Sequence, residues 1–194
     1  MLALLIGSIG FICCFIYDYN SIRLNNRFLQ SFFGVGSILI IISTVLIILN
    51  HHPQTEHLTL ISIMFALIAL FFLILLIYTL FFALPFDETY IKENHPRKAY
   101  TKGVYALCRH PGVLWFAGFY ICISISMVSL TALTISLFLI LWNILYILYQ
   151  DKFIFPMTFD NYKEYCLVTP FLIPTKNSIS LCFKSHQREG GAAH

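Results

Sequence analysis

The chain has 194 residues, 59% of them hydrophobic and only 11% charged, with a net charge of +3. Soluble domains carry about 25% charged residues, so these few charges cannot cover a water-exposed globule of this size. Part of the solvent must be lipid, and the small positive charge needs no nucleic-acid partner once its place in the loops is seen.

The elements follow as a series of apolar runs. Leu2–Tyr17 is apolar apart from Ser8, and Phe32–Leu49 holds only Ser and Thr as polar residues. Leu58–Phe86 carries no charge before Asp87; Val113–Val128 and Leu130–Tyr149 follow, divided at Ser129. A helix needs roughly 20 apolar residues to cross the hydrocarbon. Lipid offers the backbone no hydrogen-bond partner, and unbroken apolar runs lack the alternation of barrel strands. The expected fold is therefore an all-α integral membrane protein of about five transmembrane helices. The last two, joined by almost no loop, form a helical hairpin. A cytosolic C-terminal segment follows them. The first run lacks a basic start and a small-residue cleavage site before Asp18, so it is read as a span rather than a signal peptide. No charge is expected inside a span, which argues against an ion pathway.

Lysine and arginine alternate between connections. Arg23 and Arg27 lie in the first loop, and none lies in the second, Asn50–His57. The third loop, Asp87–His110, carries Lys92, Arg97, Lys98, Lys102 and Arg109. None lies near Ser129, and Lys152, Lys163, Lys176, Lys184 and Arg188 lie in the tail. The positive-inside rule puts the N-terminus outside and the C-terminus in the cytosol. The expected division is 1–86 as a three-helix membrane part, 87–176 as a catalytic-like part and 177–194 as a disordered tail.

Polar chemistry is sparse on the outer face. His51, His52 and His57 lack the spacing and companions of a zinc site, so no metal is expected. The six cysteines form no C-x-x-C pair, and no disulfide is expected. Interest concentrates on the inner face, where Gly103, Tyr105, Arg109, His110 and Pro111 precede the fourth span. Pro111 suits the first turn of a helix, where its missing N–H costs nothing. Arg109 and His110 then stand at a helix N-terminus, which together with them attracts an anion such as a carboxylate or phosphate. Basic residues at such ends also serve as plain headgroup anchors, and spacing alone does not separate the two roles. Gln150 and Asp151 close the fifth span, and the hairpin is expected to bring them near Arg109 and His110.

Gly103-x-Tyr105-x-x-x-Arg109-His110-Pro111 resembles the signature of membrane methyltransferases, a group that includes isoprenylcysteine carboxyl methyltransferases and phospholipid N-methyltransferases. The hairpin, the Tyr162/Tyr165 spacing and the closing Pro174 match it too, so the resemblance covers roughly the C-terminal half. It implies S-adenosylmethionine as cofactor, held by Gly103, Tyr105, Arg109, His110, Pro111, Gly112, Val113, Gln150 and Asp151. Trp115, Tyr146, Tyr162 and Tyr165 are then candidates for the lipid or lipophilic acceptor. No catalytic side chain is assigned. The chain departs from the pattern where Gln150 and Asp151 replace an acidic pair, Phe159 replaces a Gly, and Tyr146 replaces the Arg of the carboxyl methyltransferases. The phospholipid branch is the nearer one. Two other functions are weighed against it. Reductases of sterols and steroids, which use NADPH, share the hairpin and a related R-x-P motif, but the fourth span here has no acidic residue. A scaffold with a degenerate cofactor site is the non-enzymatic reading.

Overall fold

The computed structural model describes residues 1–50, 60–83 and 98–190, with residues 184–190 as backbone alone. His51, His52 and His57, the stretch bearing Lys92 and Arg97, and the side chains of Lys184 and Arg188 lie outside the described residues.

The described elements are all helices. They are α1 (Leu2–Tyr19), α2 (Arg27–Gln30), α3 (Phe32–Asn50), α4 (Leu60–Phe81), α5 (Val104–Leu107), α6 (Pro111–Ser126), α7 (Leu130–Tyr149), α8 (Phe155–Thr158), α9 (Tyr162–Val168) and α10 (Lys176–Gly190). Two π-helical segments, Asn20–Leu24 and Gln150–Ile154, prolong α1 and α7. Among the described residues, four helical stretches are long and apolar enough to cross a membrane: Leu2–Leu24, Arg27–Asn50, Leu60–Phe81 and Leu130–Thr158. The protein is thus an all-α, multi-pass membrane protein. The fourth apolar run gives α6, whose 16 residues extend about 24 Å against a hydrocarbon layer of about 30 Å.

The helices divide into two compact units that interleave along the chain: Met1–Leu73 with Phe116–Ile154, and Ile74–Trp115 with Phe155–His194. The expected sequential parts, cut after residues 86 and 176, are not the units that contacts define.

In the first unit, α1 lies against α3 at small residues. A Cβ on Gly36 would stand 2.6 Å from the Gly10 carbonyl oxygen, and one on Gly10 would stand 2.8 Å from that of Gly36. Nearby, buried Ser43 donates to the Ala3 carbonyl at 2.7 Å. Without a hydrophobic drive between helices in lipid, such close backbone approach and polar contacts supply the packing. Helix α7 packs on α1 through rings: Phe11 stacks on Trp142 at 6.4 Å, and Phe15 meets Tyr146 edge-on at 5.3 Å. The Tyr120 hydroxyl on α6 shares a 2.5 Å hydrogen bond with Thr44 on α3. The α6–α7 hairpin is tied by Ser124 and Ser136 at 2.8 Å, and Ser129 caps α7 by accepting from the Ala132 N–H.

Two expectations change here. The first span does not end before Asp18: helix continues to Leu24, and Asp18 lies inside it, 6% exposed. Its carboxylate accepts a hydrogen bond from the Gln150 amide at 2.8 Å, with Tyr146 in electrostatic reach, so burial is compensated by partners distant in sequence. The absence of charge within spans, expected from hydropathy, is therefore corrected.

The expected disordered tail is corrected as well, because Lys176–Gly190 is helical. Thr175 and Ser178 exchange bonds at its start. The Thr175 N–H donates to Ser178 Oγ at 2.9 Å, and the Ser178 N–H donates to Thr175 Oγ1 at 3.2 Å. This reciprocal cap satisfies donors that a helix start leaves open. In the second unit α10 packs against α5.

Candidate functional site

The second unit holds most of the candidate residues. Gly103 opens α5 with φ 56 and ψ −134, a conformation that side chains strongly disfavour. A Cβ there would meet nothing within 4 Å, so its cost is that of the backbone alone. Gly103→Ala should destabilise the protein by about 1–2 kcal/mol. An unchanged melting temperature would show that the turn relaxes into another conformation.

Tyr105 is braced at both ends of the residue. Its hydroxyl donates to the Thr79 carbonyl at 3.1 Å, and its own carbonyl accepts from the Tyr165 hydroxyl at 2.6 Å. Burial pushes the Tyr105 hydroxyl up to about 12 and raises that of Tyr165 as well. Both phenols therefore stay protonated at neutral pH and act as donors, not as bases. The Trp115 indole N–H donates to Thr79 Oγ1 at 3.0 Å. Thr79, 2% exposed near the end of α4, is thus the point where Tyr105 and Trp115 meet. A lone threonine in an apolar run gave no sequence signal for that role.

The Arg-His-Pro segment docks on the Pro170–Phe171 stretch. The Arg109 N–H donates to the Pro170 carbonyl at 2.9 Å, and the Arg109 guanidinium lies 5.5 Å from the centre of the Phe171 ring. The His110 imidazole is 7% exposed. It stacks on Phe155 at 5.7 Å and meets Phe171 edge-on at 5.2 Å. Phe155 and Phe171 were not among the candidates, although both lie next to segments that the motif singled out. Pro111 begins α6, as its ring geometry predicts. Gly112 has room for a Cβ, its nearest neighbour being Leu76 at 3.7 Å, and Val113 is buried. Burial also pushes the Cys108 thiol, just before Arg109, up to about 11, which leaves it inert as a thiolate at neutral pH.

Tyr162 and Tyr165, candidates for the acceptor, are 3% and 6% exposed. Tyr162 packs edge-on against Phe155 and Tyr165 at 5.6 and 6.0 Å. Asn161 clamps the third loop, accepting from the Ala99 N–H at 2.7 Å and donating to its carbonyl at 3.2 Å. An open pocket of about 370 Å³ lies among Thr101, Ala106, Asn161, Glu164, Tyr165 and Thr169. Of the candidate residues, Tyr165 lines it.

Gln150, Asp151 and Tyr146 belong to the first unit. The Gln150 amide nitrogen donates to Asp18 Oδ2 at 2.8 Å. Asp151 is half-buried in the π-helical segment. Such wide turns occur often at functional sites. Asp18 was not a candidate; the apolar run before it and the polar loop after it made it look like a helix flank.

Comparison with protein-family models, with curated proteins and with solved structures finds no match. The methyltransferase resemblance therefore rests on the motif itself.

Proposed function

We propose that the protein transfers a methyl group from S-adenosylmethionine to a lipophilic acceptor at the cytosolic face of its membrane. The observation that carries this reading is the fixed pose of Arg109 and His110 immediately ahead of α6. Phe155, Phe171 and the Pro170 carbonyl hold them at a helix start. A guanidinium and an imidazole at a helix N-terminus suit the carboxylate of the cofactor. The resemblance assigns its ammonium to Asp151. The cofactor supplies an activated methyl group on a sulfonium. What the chain must add is alignment and exclusion of water, with no strong acid or base. That demand agrees with a site whose phenols stay protonated. The alternation of basic and non-basic loops supports the orientation, with the N-terminus outside.

Calorimetric titration of the solubilised protein tests the proposal, with NADPH as a parallel titrant. S-adenosylmethionine should bind saturably. His110→Ala should weaken binding by about tenfold or more, a loss of about 1.4 kcal/mol, and His52→Ala should leave it unchanged. Because His110 is buried, Asp151→Asn provides a second variant that leaves the aromatic packing intact. Binding of NADPH alone would move the protein to the reductases. Binding of neither, in protein that melts cooperatively, would favour a scaffold.

A further inference from the structure

Asp18 stands out among the polar groups outside the Arg-His-Pro segment. It is a carboxylate within a membrane-spanning helix, 6% exposed. Intramembrane acids are costly and usually serve substrate, ion or proton pathways. A buried carboxylate is normally matched by a basic side chain. Among the described residues, Asp18 has one neutral donor, the Gln150 amide at 2.8 Å, with the Tyr146 hydroxyl in electrostatic reach and no basic partner. An ionised carboxylate can accept about four hydrogen bonds, so acceptor capacity remains. The rings around it add to the field. Phe15 lies 5.3 Å from Tyr146 and 5.1 Å from Tyr149, and Tyr149 is within electrostatic reach of the carboxylate. A carboxylate with aromatic side chains in its neighbourhood suits an organic cation. Gln150 and Tyr149 are half-exposed. The Gln150 amide nitrogen, 2.8 Å from Oδ2, stands at the distance that an ammonium nitrogen would take.

We propose that Asp18, reached by displacing the Gln150 side chain, is the counter-ion for a primary ammonium group. Two sources share that chemistry: the amino group of the cofactor and the headgroup of an amine phospholipid. In the first case the inference rests on the methyltransferase reading and puts Asp18 in the place that the resemblance gives to Asp151; in the second it stands without it.

The test compares each ligand with its N-acetylated form, which loses the charge and adds a small acyl group, so that Asp18→Asn separates the effect of charge from that of size. The full chain in detergent would be titrated with S-adenosylhomocysteine and N-acetyl-S-adenosylhomocysteine. A second arm uses a short-chain phosphatidylethanolamine and its N-acetyl derivative. The wild type should prefer the free amine by about tenfold or more in one arm, the size of one charge-assisted contact. Asp18→Asn should abolish the preference. The arm that responds names the source. Failure of both nucleoside forms to bind would remove the methyltransferase reading, and the lipid arm would then decide Asp18 alone. No preference in either arm overturns the inference. So does a preference that persists in folded Asp18→Asn. If that variant does not fold, Asp18→Glu replaces it: moving the carboxylate by one methylene should change the preference at least threefold, and an unchanged preference overturns the inference.

Discussion

Gly36→Leu is expected to prevent α1 from packing on α3, whereas Gly34→Leu, one residue pair away on the same helix, will be tolerated. A Cβ at position 36 would meet the Gly10 carbonyl oxygen at 2.6 Å and Cys14 Sγ at 2.8 Å. The first of these is backbone and cannot rotate aside. A Cβ at position 34 would meet nothing within 4 Å. Hydrophobicity rises equally in both variants, so the difference isolates steric approach. Overpacking in a tight interior costs about 1–3 kcal/mol when side chains can yield; against a backbone it should exceed about 3 kcal/mol. Thermal unfolding in detergent, followed by tryptophan fluorescence, would measure it. Equal melting temperatures for the two variants would mean that the α1–α3 contact is not what holds the first unit.

Asn20→Leu is the second large effect. Asn20 is fully buried just past α1, two residues after Asp18. Its amide nitrogen donates to the Asn26 carbonyl at 3.0 Å, and its amide oxygen accepts from the Asn26 N–H at 2.8 Å. These bonds close the turn that returns the chain into α2 and α3. Leucine has similar volume but leaves the Asn26 N–H without its partner, while the Asn26 carbonyl keeps the Gln30 N–H at 3.2 Å. The expected loss is about 1–3 kcal/mol. Asn25→Gly is the matched control. Asn25 has φ 50 in the left-handed region, which glycine adopts without penalty, so that variant should melt no lower than the wild type. If Asn20→Leu also melted with the wild type, the turn would be held by helix packing rather than by its own hydrogen bonds.

Both predictions concern contacts that no local pattern announces. Gly10 and Gly36 read as scattered glycines in apolar runs. Thr44 and Tyr120 bond across 76 positions, and Gln150 and Asp18 across 132. Hydropathy registers such residues only as small polar interruptions. The end of the first span is hidden from hydropathy for the same reason. An aspartate following an apolar run looks like a flank until its partners, on another helix, are known. The helix at Lys176–Gly190 is a different case. Thr175 and Ser178 form a local cap that is legible in the sequence, but the segment lacks a long apolar stripe to announce a helix.

The candidate site was legible in its order and only partly in its construction. Pro111 opens a helix as expected, and Gly103 occupies a backbone conformation that favours glycine. The motif did not reveal that His110 rests between Phe155 and Phe171, or that Tyr105 and Trp115 converge on Thr79. Tyr162 and Tyr165 could have been interfacial anchors by sequence; their burial makes them part of the packing instead.

What the sequence determined by itself is the class of protein and the course of its helices. Lipid cannot satisfy a peptide group, so long apolar runs leave the backbone no choice but to bond within itself. What the tertiary structure decided is which of the few polar groups meet. An apolar surround accepts a carboxylate or an amide only beside a partner, and that partner is fixed by how helices face one another. Asp18 beside Gln150 and Tyr146 is the clearest instance: three residues unremarkable in their own runs become one polar cluster only when α1 and α7 are packed together.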